Sequence, residues 1–517
     1  MSNVTEFEYL QKILRSPVYD VAVNSDFVKL NRFSESMGNE VWLKREDQQP
    51  VKSFKLRGAY NRISQLSQAQ LDAGVVAASA GNHAQGVAYS AARKGIKATI
   101  VMPETTPDIK VEAVRNFGGD NVKIVLFGSN FDAANAKAYE LAKEQGLTMI
   151  PPFDNDDVIA GQGTIGKEIL EKNPDLDILF IAVGGGGLAA GIATYVKAIR
   201  PDIKVVAVEA EDSACLKAAL EAGQPVDLPS VGIFADGVAV KRIGEEPFRL
   251  CQQYVDEVIT VNSDEICAAI KDIFDDTRVI AEPAGALSIA AIRKYVREND
   301  IKGKKLAGIL CGANINFHTL RYVSERCELG EQKEAVFAVK IPEQKGSFKK
   351  FCKILGGRSI TEFNYRFASD RNAHVFVGIK LREGLSEFKQ LTDALEANGY
   401  QWFDLSNNEI AKLHVRYMVG GRPPTLLNEH IYSFEFPESP GALLRFLETL
   451  GDRWNITLFH YRNHGAAQGL VLAGFDIPDL DQQEFNQYLE KLSGYLYQEQ
   501  TDNPAYKFFL SDLNGVF

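Results

Sequence analysis

The sequence predicts two kinds of α/β architecture in one chain: a long region built on mostly parallel sheets, followed by a duplicated α+β module. Three observations carry this expectation. Between about residues 40 and 310, short apolar runs alternate with longer amphipathic ones. That is the pattern of buried parallel strands joined by crossover helices. A charged stretch then breaks the alternation, and beyond it one pattern of residues occurs twice.

The elements follow in order. Val41 to Lys44 and Val75-Val76-Ala77-Ala78 are strand candidates, and Asn82 to Lys94 is an Ala-rich helix. Ala98 to Met102 is a strand, and Ile109 to Phe117 is a helix ended by Gly118-Gly119. Val122 to Phe127 is a strand, and Phe131 to Gln145 is a helix stopped by Gly146. Ile178 to Val183, Val205 to Val208 and Leu306 to Leu310 are further strands, with a helix over Leu188 to Ile199. Ser324 to Glu334 carries Glu325, Arg326, Glu328, Glu331, Lys333 and Glu334 around Gly330, and reads as a neck. The expected divisions are a catalytic region over 1–323, the neck over 324–334, and two repeats over 335–410 and 429–512.

The first repeat runs from Phe337-Ala338-Val339-Lys340-Ile341-Pro342-Glu343 through Gly346, Phe351, Leu355 and Gly356 to Phe363-Asn364-Tyr365-Arg366. The second runs from Tyr432-Ser433-Phe434-Glu435-Phe436-Pro437-Glu438 through Gly441, Phe446, Leu450 and Gly451 to Phe459-His460-Tyr461-Arg462. The offset is 95 residues at the proline (437 − 342) and 96 at the arginine (462 − 366), one insertion apart. Each copy reads as strand, turn, helix, strand and a further strand (Val375 to Leu381; Gly469 to Phe475). Such a duplication is a packing module or, more sharply, a paired sensor with a small molecule at its internal interface.

Composition narrows the function. The 517 residues are 45% hydrophobic and 24% charged, an ordinary globular balance. A net charge of −11 argues against nucleic-acid partners, which want a basic face. No apolar run approaches a membrane span, and the polar start lacks the regions of a signal peptide. The six cysteines are scattered without a CxxC, which fits a reducing cytoplasm. The seven histidines do not fall in zinc-ligand spacings, so no metal is expected.

The unusual residues lie just after predicted strands, where parallel sheets bind ligands. Gly184, Gly185, Gly186 and Gly187 follow one strand and precede a helix starting near Leu188. Without Cβ atoms, their backbone N–H groups can converge on an anion, and the helix N-terminus adds partial charge. A tight turn would need one or two glycines. No Gly-Lys-Ser/Thr follows, so this is not a Walker loop, and the spacing is not that of a dinucleotide site. Lys55, within Ser53-Phe54-Lys55-Leu56-Arg57-Gly58-Ala59, lies between a strand end and a helix. An amine of this kind beside a phosphate cradle points to pyridoxal 5′-phosphate, held on Lys55 as a Schiff base. Ser79-Ala80-Gly81-Asn82-His83 also opens a helix. Its N–H groups and Ser79 suit a substrate carboxylate, and Asn82 suits the ring hydroxyl of the cofactor. Taken alone, the segment equally reads as an N-cap with a glycine turn, and His83 as packing at the helix start.

With Ala84-Gln85-Gly86 and Cys311-Gly312-Ala313-Asn314, these segments resemble the threonine/serine dehydratases, which are fold-type II (tryptophan-synthase-β-like) pyridoxal enzymes. The repeats resemble the paired ACT-like regulatory domains of the biosynthetic threonine deaminases. Phe436-Pro437-Glu438-Ser439-Pro440-Gly441 and the Phe/Tyr/Arg endings carry that match. The resemblance implies conversion of L-threonine to 2-oxobutanoate and ammonia, the committed step of isoleucine biosynthesis. It also implies feedback inhibition by isoleucine, with valine as a second candidate effector, and a homotetramer. Lys55 would remove the α proton, Asn82 contact the ring hydroxyl, Gly184 to Leu188 hold the phosphate, and residue 311 meet the pyridine nitrogen. Ser79, Ala80, Gly81, Asn82 and His83 would bind the substrate. Phe348, Arg358, Glu438 and Leu443 are the candidate effector contacts, against ordinary packing or surface charge.

Many members of the family carry Ser where this chain has Cys311. A thiol is a weaker donor but still neutral, so the same reaction with altered cofactor electronics is expected; a small buried residue is the plainer alternative. Some members use a cation. Glu209, with Ser213 and Cys215, is the plausible location, but the set is poor in hard oxygen ligands. A serine dehydratase or racemase on the same scaffold, and a catalytically silent amino-acid sensor, are the competing readings. The doubled C-terminal region argues against the former, and retention of Lys55 against the latter.

Overall fold

The computed structural model describes residues 4–128, 131–232, 234–317, 319–342, 344–366, 372–408, 412, 428–437, 441–451, 453–462, 468–492 and 495–503. The chain divides into two units, Met1–Gly330 and Glu331–Phe517.

Apolar runs with β-branched residues become strands, the central ones, such as Val75–Ala78 and Ile178–Ala182, buried on both faces. In the first unit they form two sheets. The smaller has the order Val122–Leu126, Ala98–Met102, Val75–Ala78, Thr148–Met149, all parallel. The larger has the order Phe27–Lys29, Glu40–Arg45, Lys305–Leu310, Ile178–Ala182, Lys204–Ala210, Glu257–Val261. Among its described strands only Phe27–Lys29 pairs antiparallel. The helix Asn82–Lys94 spans the residues read from the sequence and ends on Gly95 in the left-handed region. The helix Asp156–Lys172, capped by Asn155, was not read from sequence. It is buried along most of its length, so it lacks the polar stripe that marks a surface helix.

The stretch expected as a neck is largely helical. Thr319–Gly330 forms a helix whose Arg326, Cys327 and Leu329 are buried, with Arg326 paired to Asp264 at 2.5 Å. The division between units falls after Gly330.

The described strands of the second unit form one eight-stranded antiparallel sheet. Its order is Gln401–Asp404, Glu334–Pro342, Asn372–Lys380, Ile360–Arg366, Asn455–Arg462, Gln468–Asp476, Glu429–Pro437, Leu496–Glu499. The repeats meet at the centre, where Phe363 pairs with Tyr461, Asn364 with His460 and Tyr365 with Phe459. Asn364 therefore faces its own counterpart, and on either side of it the Phe of one repeat faces the Tyr of the other. Each repeat also continues past the elements read from the sequence, through a second helix (Leu385–Ala397; Gln482–Glu490) to a short edge strand.

Both repeats break register at a threonine, between Ile360 and Glu362 and between Ile456 and Leu458. Thr361 Oγ1 donates to Glu334 and Thr457 Oγ1 to Glu429, so the bulge is clamped in the same way twice. Phe348, Phe363 and Phe459 form an aromatic cluster across the repeats, with ring centroids 5.0–5.7 Å apart. Among the described residues, no helix is long and apolar enough to cross a membrane.

Candidate active site

Lys55 is the first residue of the helix Lys55–Ser64. Backbone contacts tie the turn before it to the exit of strand Lys305–Leu310. Phe54 N–H donates to Cys311 O at 3.1 Å, Ser53 bridges Gly312, and Ala313 N–H donates to Lys52 O at 3.0 Å. Lys55 Nζ donates to Pro152 O at 3.1 Å. Burial brings its ammonium down to about 8, against the opposing pull of Cys311 and Glu282.

From the other side the helix is anchored by Arg57, whose guanidinium is fully buried. It reaches both oxygens of Glu46 at 2.8 Å, both oxygens of Glu168 at 2.6 and 3.0 Å, and Thr164 Oγ1 at 3.0 Å. Burial alone would lower its pKa, but the two carboxylates outweigh that and hold it charged. Lys44 Nζ, 2.6 Å from Glu168, completes a buried set of two cations and two carboxylates. The motif thus supplies one lysine for the site and one arginine for the anchor.

Ser79, Ala80 and Gly81 form the partly exposed turn from strand Val75–Ala78 into helix Asn82–Lys94. Ser79 Oγ accepts from Gly81 N–H at 3.2 Å. A Cβ at Gly81 would meet nothing within 4 Å, so this turn borders open space. Asn82 Nδ2 donates to Glu282 Oε1 at 2.7 Å, and Asn82 Oδ1 accepts from Asn314 Nδ2 at 2.7 Å. His83 is buried, with Nε2 2.8 Å from Ile150 O. Burial, with Lys55 adding to it, pushes the imidazole down to about 3, so it is neutral and serves as an anchor for the helix start.

The run Gly184 to Gly187 leads into helix Gly187–Ile199, with Gly186 at φ +89°. Packing explains part of the run: a Cβ at Gly185 would lie 2.1 Å from the Phe153 ring. The helix start, including Gly187 and Leu188, is buried and no side chain caps it. Its first N–H groups are suited to an anion.

One loop, 150–153, touches three of the predicted segments: Ile150 holds His83, Pro152 holds Lys55, and Phe153 packs against Gly185. The segment 311–314 joins the segments of Lys55 and Asn82. The fold therefore brings all four sequence segments together. Cys311 is buried, its Sγ 3.6 Å from Ile309 O, and burial, Glu282 and Glu46 push its thiol up so that it stays neutral. Sequence reading missed Glu282, Asn314 as a partner of Asn82, and the loop 150–153. Glu282 lies 200 positions from Asn82 (282 − 82), and no local pattern marks it.

The donor set fits pyridoxal phosphate: an amine of lowered pKa, a buried uncapped helix start, and two buried polar atoms, Ser53 Oγ and His83 Nδ1, with no protein partner. Glu209 is occupied otherwise. Its carboxylate accepts from the N–H groups of Leu216 and Lys217 at 2.7 and 2.9 Å, and burial raises it to about 7. Among the described residues no cluster of His, Cys, Asp and Glu could hold a metal ion.

In the second unit, Phe348 lines a groove with Tyr365 and Lys349 of the first repeat and Leu447, Trp454 and Asn455 of the second. Leu443, 95 residues beyond Phe348 (443 − 348), is buried in the aromatic core. Arg358 lies outside that lining; its Nε donates to Glu387 Oε1 at 2.8 Å and its Nη1 to Leu355 O at 3.0 Å. Glu438 lies outside the described residues.

Residues 18–312 match the family described as pyridoxal-phosphate dependent enzyme. Residues 325–415 and 420–510 each match the C-terminal regulatory domain of threonine dehydratase. The biosynthetic L-threonine dehydratase of Escherichia coli is 60% identical over 504 residues, covering 98% of this chain and 97% of that protein. The mitochondrial threonine dehydratase of Saccharomyces cerevisiae is 50% identical, covering 97% and 89%. Among solved structures, processed threonine deaminase isoform 2 from Solanum lycopersicum is 49% identical with a TM-score of 0.61, covering 62% of this chain and 92% of that one. Maize serine racemase is 29% identical with a TM-score of 0.57, covering 62% and 97%.

Proposed function

The chain belongs to the biosynthetic threonine dehydratases, pyridoxal-phosphate-dependent ammonia-lyases with a C-terminal regulatory region, and from that premise we propose that it converts L-threonine to 2-oxobutanoate and ammonia under feedback control by isoleucine. The observation that carries the proposal is the convergence of Lys55, Asn82 and the uncapped helix at Gly187 in a chain that continues into two regulatory repeats.

Pyridoxal phosphate, when bound, supplies the electron sink that lets the α hydrogen of an amino acid leave as a proton. Lys55 would hold the cofactor and, once the substrate's amine has displaced it, would take that proton, its amine being lowered by burial to about 8. The N–H groups at Gly186 to Leu188 take the phosphate. The turn Ser79 to Gly81 would receive the substrate carboxylate, and Asn82 would hold the ring hydroxyl. Cys311 would meet the ring nitrogen as a neutral, weak donor. Serine, which lacks only the methyl group of threonine, is a second substrate of the same site.

The groove beside Phe348 and Trp454, lined by both repeats, is the candidate place for isoleucine. Isoleucine bound there acts by preferring one of two states of a homotetramer, and valine competes for the same repeats. The test is 2-oxo acid formation from threonine by purified protein, with and without isoleucine. Turnover that isoleucine suppresses supports both parts. Turnover without suppression removes the sensor role, and absence of turnover by cofactor-loaded protein removes threonine as substrate. Lys55→Ala is expected to lose nearly all activity and the bound cofactor's visible absorbance.

A further inference from the structure

Glu282 belongs to none of the sequence motifs, yet it joins two of them. The residue is buried, 6% exposed. Oε1 accepts from Asn82 Nδ2 at 2.7 Å, and Oε2 accepts from the Asn314 backbone N–H at 3.0 Å. Asn314 Nδ2 donates to Asn82 Oδ1 at 2.7 Å and to Val51 O at 2.8 Å. An amide whose nitrogen faces a carboxylate and whose oxygen faces a donor has a single orientation. Asn82 is then left with one N–H to give to whatever binds beside it.

The other titratable groups around Glu282 are Lys55, Cys311, Asp236 and Lys110. Burial and the Asp236 carboxylate raise Glu282 to about 7, while Asn82, Asn314 and Lys110 pull the other way. Lys110 itself pairs with Asp236 at 2.5 Å. Removing the Glu282 carboxylate would free the Asn82 amide to turn.

We propose that Glu282 is a positioning residue for the reaction, acting through Asn82 to present an N–H to the ring hydroxyl of the cofactor. This rests on the reading that Lys55 holds pyridoxal phosphate with Asn82 at its ring hydroxyl. A donated N–H favours the ionised hydroxyl, so the carboxylate sets both cofactor affinity and the absorbance of the bound form.

The premise is tested separately: wild-type holoenzyme shows a visible cofactor band and Lys55→Ala does not. Full-length Glu282→Gln, Asn82→Ala and the double variant are then stripped of cofactor and titrated with pyridoxal phosphate, recording affinity and spectrum. Glu282→Gln is expected to weaken binding about tenfold and to change the pH dependence of the visible band. The double variant is expected to bind no more weakly than Asn82→Ala alone, because the effect runs through that side chain. Glu282→Asp, which keeps the charge, is expected to recover part of the loss. Unchanged affinity and spectrum in Glu282→Gln overturn the proposal, as do losses that multiply in the double variant. Should Glu282→Gln not fold, Asn314→Ala probes the same amide from its oxygen side: a similar loss supports the proposal and unchanged binding overturns it.

Discussion

Lys55 owes its lowered pKa to burial rather than to a cationic neighbour. An exposed lysine stays protonated to about pH 10, whereas this one loses its proton near pH 8. Only the neutral amine attacks an aldehyde. The rate at which stripped enzyme takes up pyridoxal phosphate is therefore expected to rise between about pH 7 and 9 and then level off, as followed by absorbance. A rise continuing to pH 10.5 would indicate an unperturbed amine. Gly185 offers a second check at this scale. Its Cβ would strike the Phe153 ring at 2.1 Å, and the ring belongs to the loop that also holds Lys55. Gly185→Ala is expected to cost about 1–3 kcal/mol by overpacking and to weaken cofactor binding at least tenfold in a titration of the stripped enzyme.

At the scale of elements, the buried set around Arg57 fastens the lysine helix to strand Glu40–Arg45 and helix Asp156–Lys172. Arg57→Ala leaves two buried carboxylates short of their main counterion. It is expected to destabilise the first unit by about 3–5 kcal/mol, measured as a lowered urea midpoint. Most of the parallel strands were legible in the sequence because burial on both faces leaves unbroken apolar runs, as in Val75–Ala78 and Ile178–Ala182, whereas the half-buried Glu257–Val261 was not. Helices were legible by composition or by a glycine stop, as in the Ala-rich Asn82–Lys94 and in Phe131–Gln145 before Gly146. Phe27–Lys29 and Thr148–Met149 were too short to leave a pattern. In the site, residues next to strand ends could be read from sequence. Glu282 and the loop 150–153 could not, because their roles arise only when distant segments meet. Arg57 stood in the motif all along, but only its contacts reveal it as an anchor.

For the whole molecule, each unit encloses its own apolar core. A chain ending at Gly330 is therefore expected to keep threonine turnover and lose the isoleucine response, as read by 2-oxo acid formation in the presence of the effector. The duplication was legible because the proline and glycine turns recur at a fixed spacing. The Thr–Glu clamp at each bulge was not, since its partners are 27 and 28 residues apart. Central pairing of Ile360–Arg366 with Asn455–Arg462 places both repeats in one continuous sheet. Had the two halves been separate chains, their meeting would follow mass action and fail on dilution. Tethered in one polypeptide, each meets its counterpart at a fixed effective concentration. The pair of regulatory repeats therefore stays assembled however scarce the enzyme becomes.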